Sequence, residues 1–152
     1  MIVTDDTPAQ ALAIDAAAFV RQEVTFAAGD VDMFAALSHD RASLHFDDGY
    51  AIARGYPGRI VHGLLIGARF SRLMGMFLPG EDSVIQSLNL QYRRPVSVGT
   101  RVTLSVEVEK IVEAVGAVVL KLSATADGVV LVEGRAQCVL CRPPADVPAR
   151  GR

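Results

Sequence analysis

The feature that most constrains this chain is a change of hydrophobic period at about residue 80. From His62 to Leu78 the sequence runs "HGLLIGARFSRLMGMFL", long enough for a helix and apolar on nearly all sides. A helix hydrophobic all round is usually buried. Gly67 and Gly75 weaken it as a helix but would let a neighbouring backbone come close. "PGED" then ends it. From Ser83 onward the period becomes two. In "VTLSVEVEKI", Val102, Leu104, Val106 and Val108 alternate with Thr103, Ser105, Glu107 and Glu109. "AVVLKLSATA" and "LVEGRAQCVL" follow across the short turns "EAVG" and "DG", and "SVIQSLNLQYRRPV" precedes them. These are four strand candidates in series, antiparallel where the connections are hairpins. A sheet wrapped around one apolar helix is an α+β arrangement.

The N-terminal half is less regular. Residues 1–20 read as a loose or helical lead-in and "RQEVTF" as a short strand. In "DVDMFAALS", Val31, Phe34, Ala35 and Leu37 recur at helical spacing, with Asp30 placed to cap the start. Gly49, Gly55, Pro57 and Gly58 then limit "FDDGYAIARGYPGR" to a short helix and loops. The last residues, "PPADVPARGR", read as a flexible tail.

The totals exclude several classes. A chain of 152 residues suits one domain with a real core, and 51 % hydrophobic residues argue against disorder. A net charge of -2 is wrong for a nucleic-acid binder. No apolar run reaches the roughly 18 residues that span a bilayer, and the acidic "MIVTDDTPAQ" is unlike a signal peptide. The expectation is a soluble, cytoplasmic protein. Cys138 and Cys141, in "CVLC", lack the second pair a zinc site would want, so they are expected to be ordinary packing residues.

Chemistry is suggested in two places. "SHDRASLH" holds Asp40 and His45, a carboxylate and an imidazole that could share one water and serve two proton transfers. They could equally be a helix end followed by a turn. In "GRIVHGLL", Gly63 opens the apolar helix. Its N–H lies at the positive end of the helix dipole and could hold a carbonyl oxygen that gains charge, or Gly63 could simply allow close packing. Arg93 and Arg94 suit phosphate contacts or plain solubility.

"FAALSHDRASLHFDDGYA", "IVHGLLIGARFSRLMGMFLPG" and "YRRPVSVGTRVTLSVEV" together resemble the MaoC-like hydratases, and within them the (R)-specific enoyl-CoA hydratases. The likeness covers roughly residues 22 to 140. The family motif has Asp, any residue, Asn, Pro, an apolar residue and His, and Asp40, Leu44 and His45 fall on it. "VHG" at Val61–Gly63 matches the start of the family's central helix, and Ser71 falls where the hydratases carry a helix serine. One departure stands out. The family's Asn-Pro is Ala42-Ser43 here, which removes a stiffening proline and an orienting amide.

The resemblance implies a single hot-dog domain over residues 21–141, between a lead-in over 1–20 and a tail over 142–152. It implies reversible hydration of a trans-2-enoyl thioester, with Asp40 and His45 as the acid–base pair. His45 would handle the α-carbon proton and Asp40 the water or β-hydroxyl. Gly63 would hold the thioester oxygen, with Ser71 and His62 in support and Arg93 and Arg94 near the phosphates of coenzyme A or a carrier arm. His39 is expected to face solvent. No metal or redox cofactor is implied, since coenzyme A or phosphopantetheine arrives as part of the substrate. The implied partners are acyl-CoA or acyl-carrier-protein and a second copy, or another hot-dog subunit, with neither nucleic acid nor membrane. Two readings compete: a non-catalytic acyl-binding or partner subunit, and a hot-dog thioesterase. The thioesterase usually carries its carboxylate on the central helix, which here has none.

Overall fold

The computed structural model describes residues 1–10 and 12–141; the expected tail over 142–152 lies outside the described residues. Six strands form one sheet: β1 (Ile2–Val3), β2 (Phe19–Thr25), β3 (Ser83–Tyr92), β4 (Arg101–Val112), β5 (Ala117–Ala126) and β6 (Val129–Leu140). Among the described residues, four α-helices accompany it, α1 (Ala28–Ser38), α2 (Ser43–Phe46), α3 (Asp48–Ile52) and α4 (Gly63–Met76), with a 3-10 turn at Glu113–Val115. The strand order is β1-β2-β4-β5-β6-β3. All pairings are antiparallel except β1 with β2.

β4, β5 and β6 form the expected meander. Ala126 pairs with Val129 across Asp127-Gly128, both with positive φ, which is a two-residue hairpin turn whose twist matches the strands. β3 is not the first strand of that series. It crosses over and pairs with β6, so it forms the far edge of the sheet. Among the described residues, the lead-in is loose rather than helical. Its first residues add β1 beside β2, and Arg72 of α4 donates to the carbonyls of Thr4 and Asp5.

Val102, Leu104 and Val106 of β4, Val118, Leu120 and Leu122 of β5, and Val132, Ala136 and Cys138 of β6 are buried with Ile66, Phe70, Leu73 and Met74 of α4 in one core. At Gly67 an added Cβ would sit 3.4 Å from the Leu90 side chain, so the helix rests closely on β3 there. Gly75 has no such neighbour. The expectation of a helix buried on every side fails in a specific way: Leu64 is 72 % exposed, and Ala68 and Ser71 are exposed too. Among the described residues, one face of α4 is left without cover.

Three local expectations also shift. α1 begins at Ala28, so Asp30 is its third residue and accepts the Ala27 N–H at 2.8 Å instead of standing at the cap itself. Leu37 is 80 % exposed and belongs to no core face. The second half of "SHDRASLH" is helical, since α2 starts at Ser43. Cys138 is buried as expected, but Cys141 is exposed just beyond β6.

Candidate active site

α1 ends at Ser38, and His39 follows it in the left-handed conformation, exposed to solvent as expected. The chain turns at Asp40, whose Oδ1 accepts the Ala42 N–H at 3.2 Å. α2 then carries His45. Ile60 draws that helix toward α4 in two ways: its N–H donates to the Leu44 carbonyl, and its carbonyl accepts from His45 Nδ1 at 2.7 Å. Ile60 itself bridges to Ser97, and the Val61 N–H donates to the Val96 carbonyl. The run from Ile60 to Gly63 is therefore pinned to the chain leaving β3 while it holds His45 and starts α4.

His62 completes the arrangement. It is 2 % exposed, and its Nε2–H donates to the Asp40 carbonyl at 3.0 Å. Its ring stacks on that of His45 with centroids 3.7 Å apart, and Phe34 and Phe46 close around it. A ligand atom from each of Asp40, His45 and His62 lies within 4.8 Å of the others. The spacing-based pairing of Asp40 with His45 is thus a spatial one, and His62 links them.

The hydrogen bonds dictate the tautomers. A carbonyl oxygen only accepts, so His45 carries a proton on Nδ1 and keeps Nε2 for chemistry. His62 carries its proton on Nε2, which leaves Nδ1 as a buried acceptor with no partner. Three donors could in number serve a divalent ion. But a ring nitrogen binds a metal in the plane of its ring at about 2.0–2.1 Å, and two rings stacked 3.7 Å apart cannot both aim at one ion. The arrangement suits a water better than a metal.

Gly63 is the first residue of α4, and His62 before it makes no side-chain capping bond. Its N–H belongs to the first turn, which has no intrahelical acceptor. The other expected residues are not gathered here. Ser71 lies eight residues on, about 12 Å along the helix axis, exposed and without a hydrogen bond among the described residues. Arg93 is held by Glu133 at 2.6 Å, so it is not a free cation. Arg94 is exposed and in no ion pair among the described residues. A separate concavity of about 650 Å³ lies on the outer face of the sheet. Its wall includes the Arg135–Glu109 pair, and none of the candidate residues lines it.

Reading the sequence alone missed two contributors. Ile60 acts through its backbone, which leaves no trace in side-chain chemistry. Tyr92 donates its hydroxyl to the Gly63 carbonyl at 2.8 Å. The alternation of Leu88, Leu90 and Tyr92 along β3 was the available signal that it faces α4.

An α4 cradled by a six-stranded sheet, with an Asp–His pair at its N-terminus, defines a hot-dog protein of the hydratase type. Residues 10–127 match the MaoC like domain, and the chain belongs to that family. It is 32 % identical over 127 residues to an (R)-specific enoyl-CoA hydratase of Rhodospirillum rubrum, covering 84 % of this chain and 83 % of that one. It is 43 % identical over 83 residues to the (R)-specific enoyl-CoA hydratase of Aeromonas caviae, a match that spans 55 % of this chain and 62 % of that enzyme's length. The solved (R)-hydratase from A. caviae involved in PHA biosynthesis superposes with a TM-score of 0.80 at 34 % identity, over 84 % of this chain and 97 % of that one.

Proposed function

We propose that the chain reversibly hydrates a trans-2-enoyl thioester to the 3-hydroxyacyl thioester, on coenzyme A or a carrier arm. The observation that carries this is the meeting of Asp40, His45 and the start of α4 on one hydrogen-bonded run, Ile60 to Gly63. The relatives named (R)-specific enoyl-CoA hydratase support it.

In the dehydration direction, His45 Nε2 takes the proton from the carbon next to the carbonyl. The electron pair moves onto the thioester oxygen, where the Gly63 N–H holds the charge. Asp40, in its acid form, gives its proton to the leaving β-hydroxyl as the C–O bond breaks, and water departs. Hydration is the reverse: Asp40 takes a proton from the water as oxygen adds to the β-carbon, and protonated His45 delivers one to the α-carbon. A proton returned between the two groups resets the pair. No metal or redox cofactor enters any of these steps. Arg94 is the residue left to meet substrate phosphates.

The same reading includes a homodimer in the cytoplasm. Among the described residues, β3 presents a ten-residue open edge, and edges of that length are normally paired or covered. Leu64 and Leu88 are exposed beside it, with Asp40 and Ser71 in the open. A second copy along this edge would cover the bare face of α4, bring a roof to the acyl path and place Ser71 near a site. A heterodimer with another hot-dog subunit would use the same edge. Light scattering is expected to give twice the chain mass, and a stable monomer would count against both.

The deciding experiment is hydration of crotonyl-CoA, followed by loss of enoyl-thioester absorbance, with Asp40→Asn and His45→Gln beside the wild type. Each variant is expected to lose 10²-fold or more, as removal of a general acid or base typically does. Full activity in Asp40→Asn would defeat the assignment. A second reading, a non-catalytic partner subunit, is favoured only by Ala42-Ser43 and predicts no turnover of any enoyl thioester.

A further inference from the structure

The aromatic ring of Tyr92 covers the Cα of Gly63. A Cβ added at Gly63 would lie 2.9 Å from Tyr92 Cζ and 3.0 Å from its Cε1. The hydroxyl reaches past it to donate to the Gly63 carbonyl at 2.8 Å. Burial raises the Tyr92 phenol above its ordinary value of 10.0, so it remains a donor through the neutral range. The other side of the helix start is held by the Val61 N–H on the Val96 carbonyl, in the chain just beyond Tyr92.

These contacts matter because the N-cap residue of α4 supplies no side-chain cap. That residue, His62, donates to the Asp40 carbonyl, and its side chain accepts no N–H of the first turn. Gly63 has no side chain to limit its own backbone. An oxyanion donor must nonetheless be held at about 2.7–3.1 Å from the oxygen that gains the charge.

We propose that Tyr92 is a positioning residue that fixes the Gly63 N–H for the thioester oxygen, through its ring on the Gly63 Cα and its hydroxyl on the Gly63 carbonyl. This rests on the hydratase reading above. Because Tyr92 ends the open-edge strand β3, it also ties the oxyanion donor to the sheet edge.

The test is Tyr92→Phe, which keeps the ring and removes only the hydroxyl. Two measurements go together: crotonyl-CoA hydration, and amide hydrogen exchange of the segment spanning residues 62–66. The expected result is a fall in kcat of about tenfold with KM within about twofold, since a donor used mainly in the transition state moves kcat. Exchange in 62–66 should quicken while the β4–β6 strands stay unchanged. Unchanged kcat in an active enzyme would overturn the proposal, as a purely structural role would shift melting temperature and leave kcat alone. If the wild type turned over no thioester, the hydratase reading would fall by itself. Exchange would then decide for Tyr92: faster exchange in Tyr92→Phe supports the hydroxyl as the latch on the helix start, and identical exchange overturns it.

Discussion

The rings of His45 and His62 stack with their centroids 3.7 Å apart and their planes 26° from parallel. His62 also donates to the Asp40 carbonyl, so one buried ring fixes both members of the acid–base pair. Replacing His62 by Phe keeps a stacking ring but breaks the bond to Asp40. It also removes the orphaned Nδ1, a buried polar atom that costs about 1–3 kcal/mol. Those two changes offset, so stability should move by under about 1.5 kcal/mol while kcat falls roughly 10- to 100-fold. His62→Ala, by contrast, opens a cavity and should cost about 2–4 kcal/mol as well. Urea melts beside steady-state kinetics separate the two outcomes; a Phe variant with full activity would show that His62 only fills space.

Ala42 stands at the N-cap of α2, with φ -57 and ψ 135 and no side-chain cap bond. This is where the family motif carries asparagine. An asparagine there can accept an N–H of the first turn, and good caps contribute about 0.5–2 kcal/mol over alanine. Ala42→Asn is therefore expected to raise the unfolding free energy by about 1 kcal/mol and, by steadying His45, to raise kcat. Denaturant titration and the hydration assay check both. A drop in stability would mean that the loop geometry has adapted to alanine.

The parts that were legible in the sequence are those with local signals. The apolar run of α4, the alternation through β4, β5 and β6, and the Asp-Gly hairpin are written in periodicity and turn chemistry. The Asp40–His45 pair was legible through its motif spacing. The strand order was not: whether β3 lies beside β4 or across at β6 depends on pairings between distant residues, and no single stretch records them. Asp30 illustrates a finer limit, since a carboxylate at the cap accepts an N–H of the first turn while one at the third position reaches back to the N–H of the cap residue, and both put an acidic residue at the helix start. The exposed Leu64 shows another. An apolar sequence says that a face wants cover, not which chain supplies it.

Gly134 of β6 faces β3, and a Cβ there would run directly onto the Asn89 carbonyl and within 2.9 Å of Leu90 Cδ2. A backbone atom cannot move aside as a side chain can. Gly134→Ala should therefore push β3 away from β6, with a loss of about 2 kcal/mol or more, in the range of overpacked or strained sites. Because β3 also carries Tyr92 and the open edge, activity and self-association should fall together. A variant with unaltered melting temperature and mass would show that β3 accommodates the methyl.

Burial pushes the Cys138 thiol up to about 11, whereas Cys141 is exposed. The thiolate is the reactive form. At pH 8, Cys138 is then about one part in 10³ ionised, and its access is closed as well. Alkylation of the folded protein should modify one thiol quickly and the second only on unfolding, which mass spectrometry of timed samples resolves. The sign of the pH effect on stability follows too. The folded state holds its thiol proton more tightly than the unfolded chain does, so stability is full below the ordinary value of 9.0 and declines as pH rises toward 11. Equal labelling rates for the two cysteines would contradict the burial of Cys138.

Gln22 is fully buried on β2, at a position where its neighbours Val20 and Val24 are apolar. Its amide is satisfied from outside the sheet: Nε2 donates to Asp5 at 2.8 Å, and Oε1 accepts from Arg72 of α4 at 3.3 Å. The same Asp5 carboxylate accepts from Arg69 at 2.7 Å, and Arg72 also holds the Thr4 and Asp5 carbonyls. The N-terminal segment is thus fastened to α4 and β2 by one network around a single buried amide. Asp5→Ala leaves Gln22 Nε2 buried without an acceptor, which should cost about 1–3 kcal/mol. Adding Gln22→Leu removes the stranded amide and should recover part of that loss, because an apolar pair in place of both partners can be nearly neutral. The site at the other end of α4 shares none of these contacts, so kcat should stay within about twofold in both variants. Urea unfolding of the single and double variants tests the network, and a double variant less stable than Asp5→Ala alone would refute this account of Gln22.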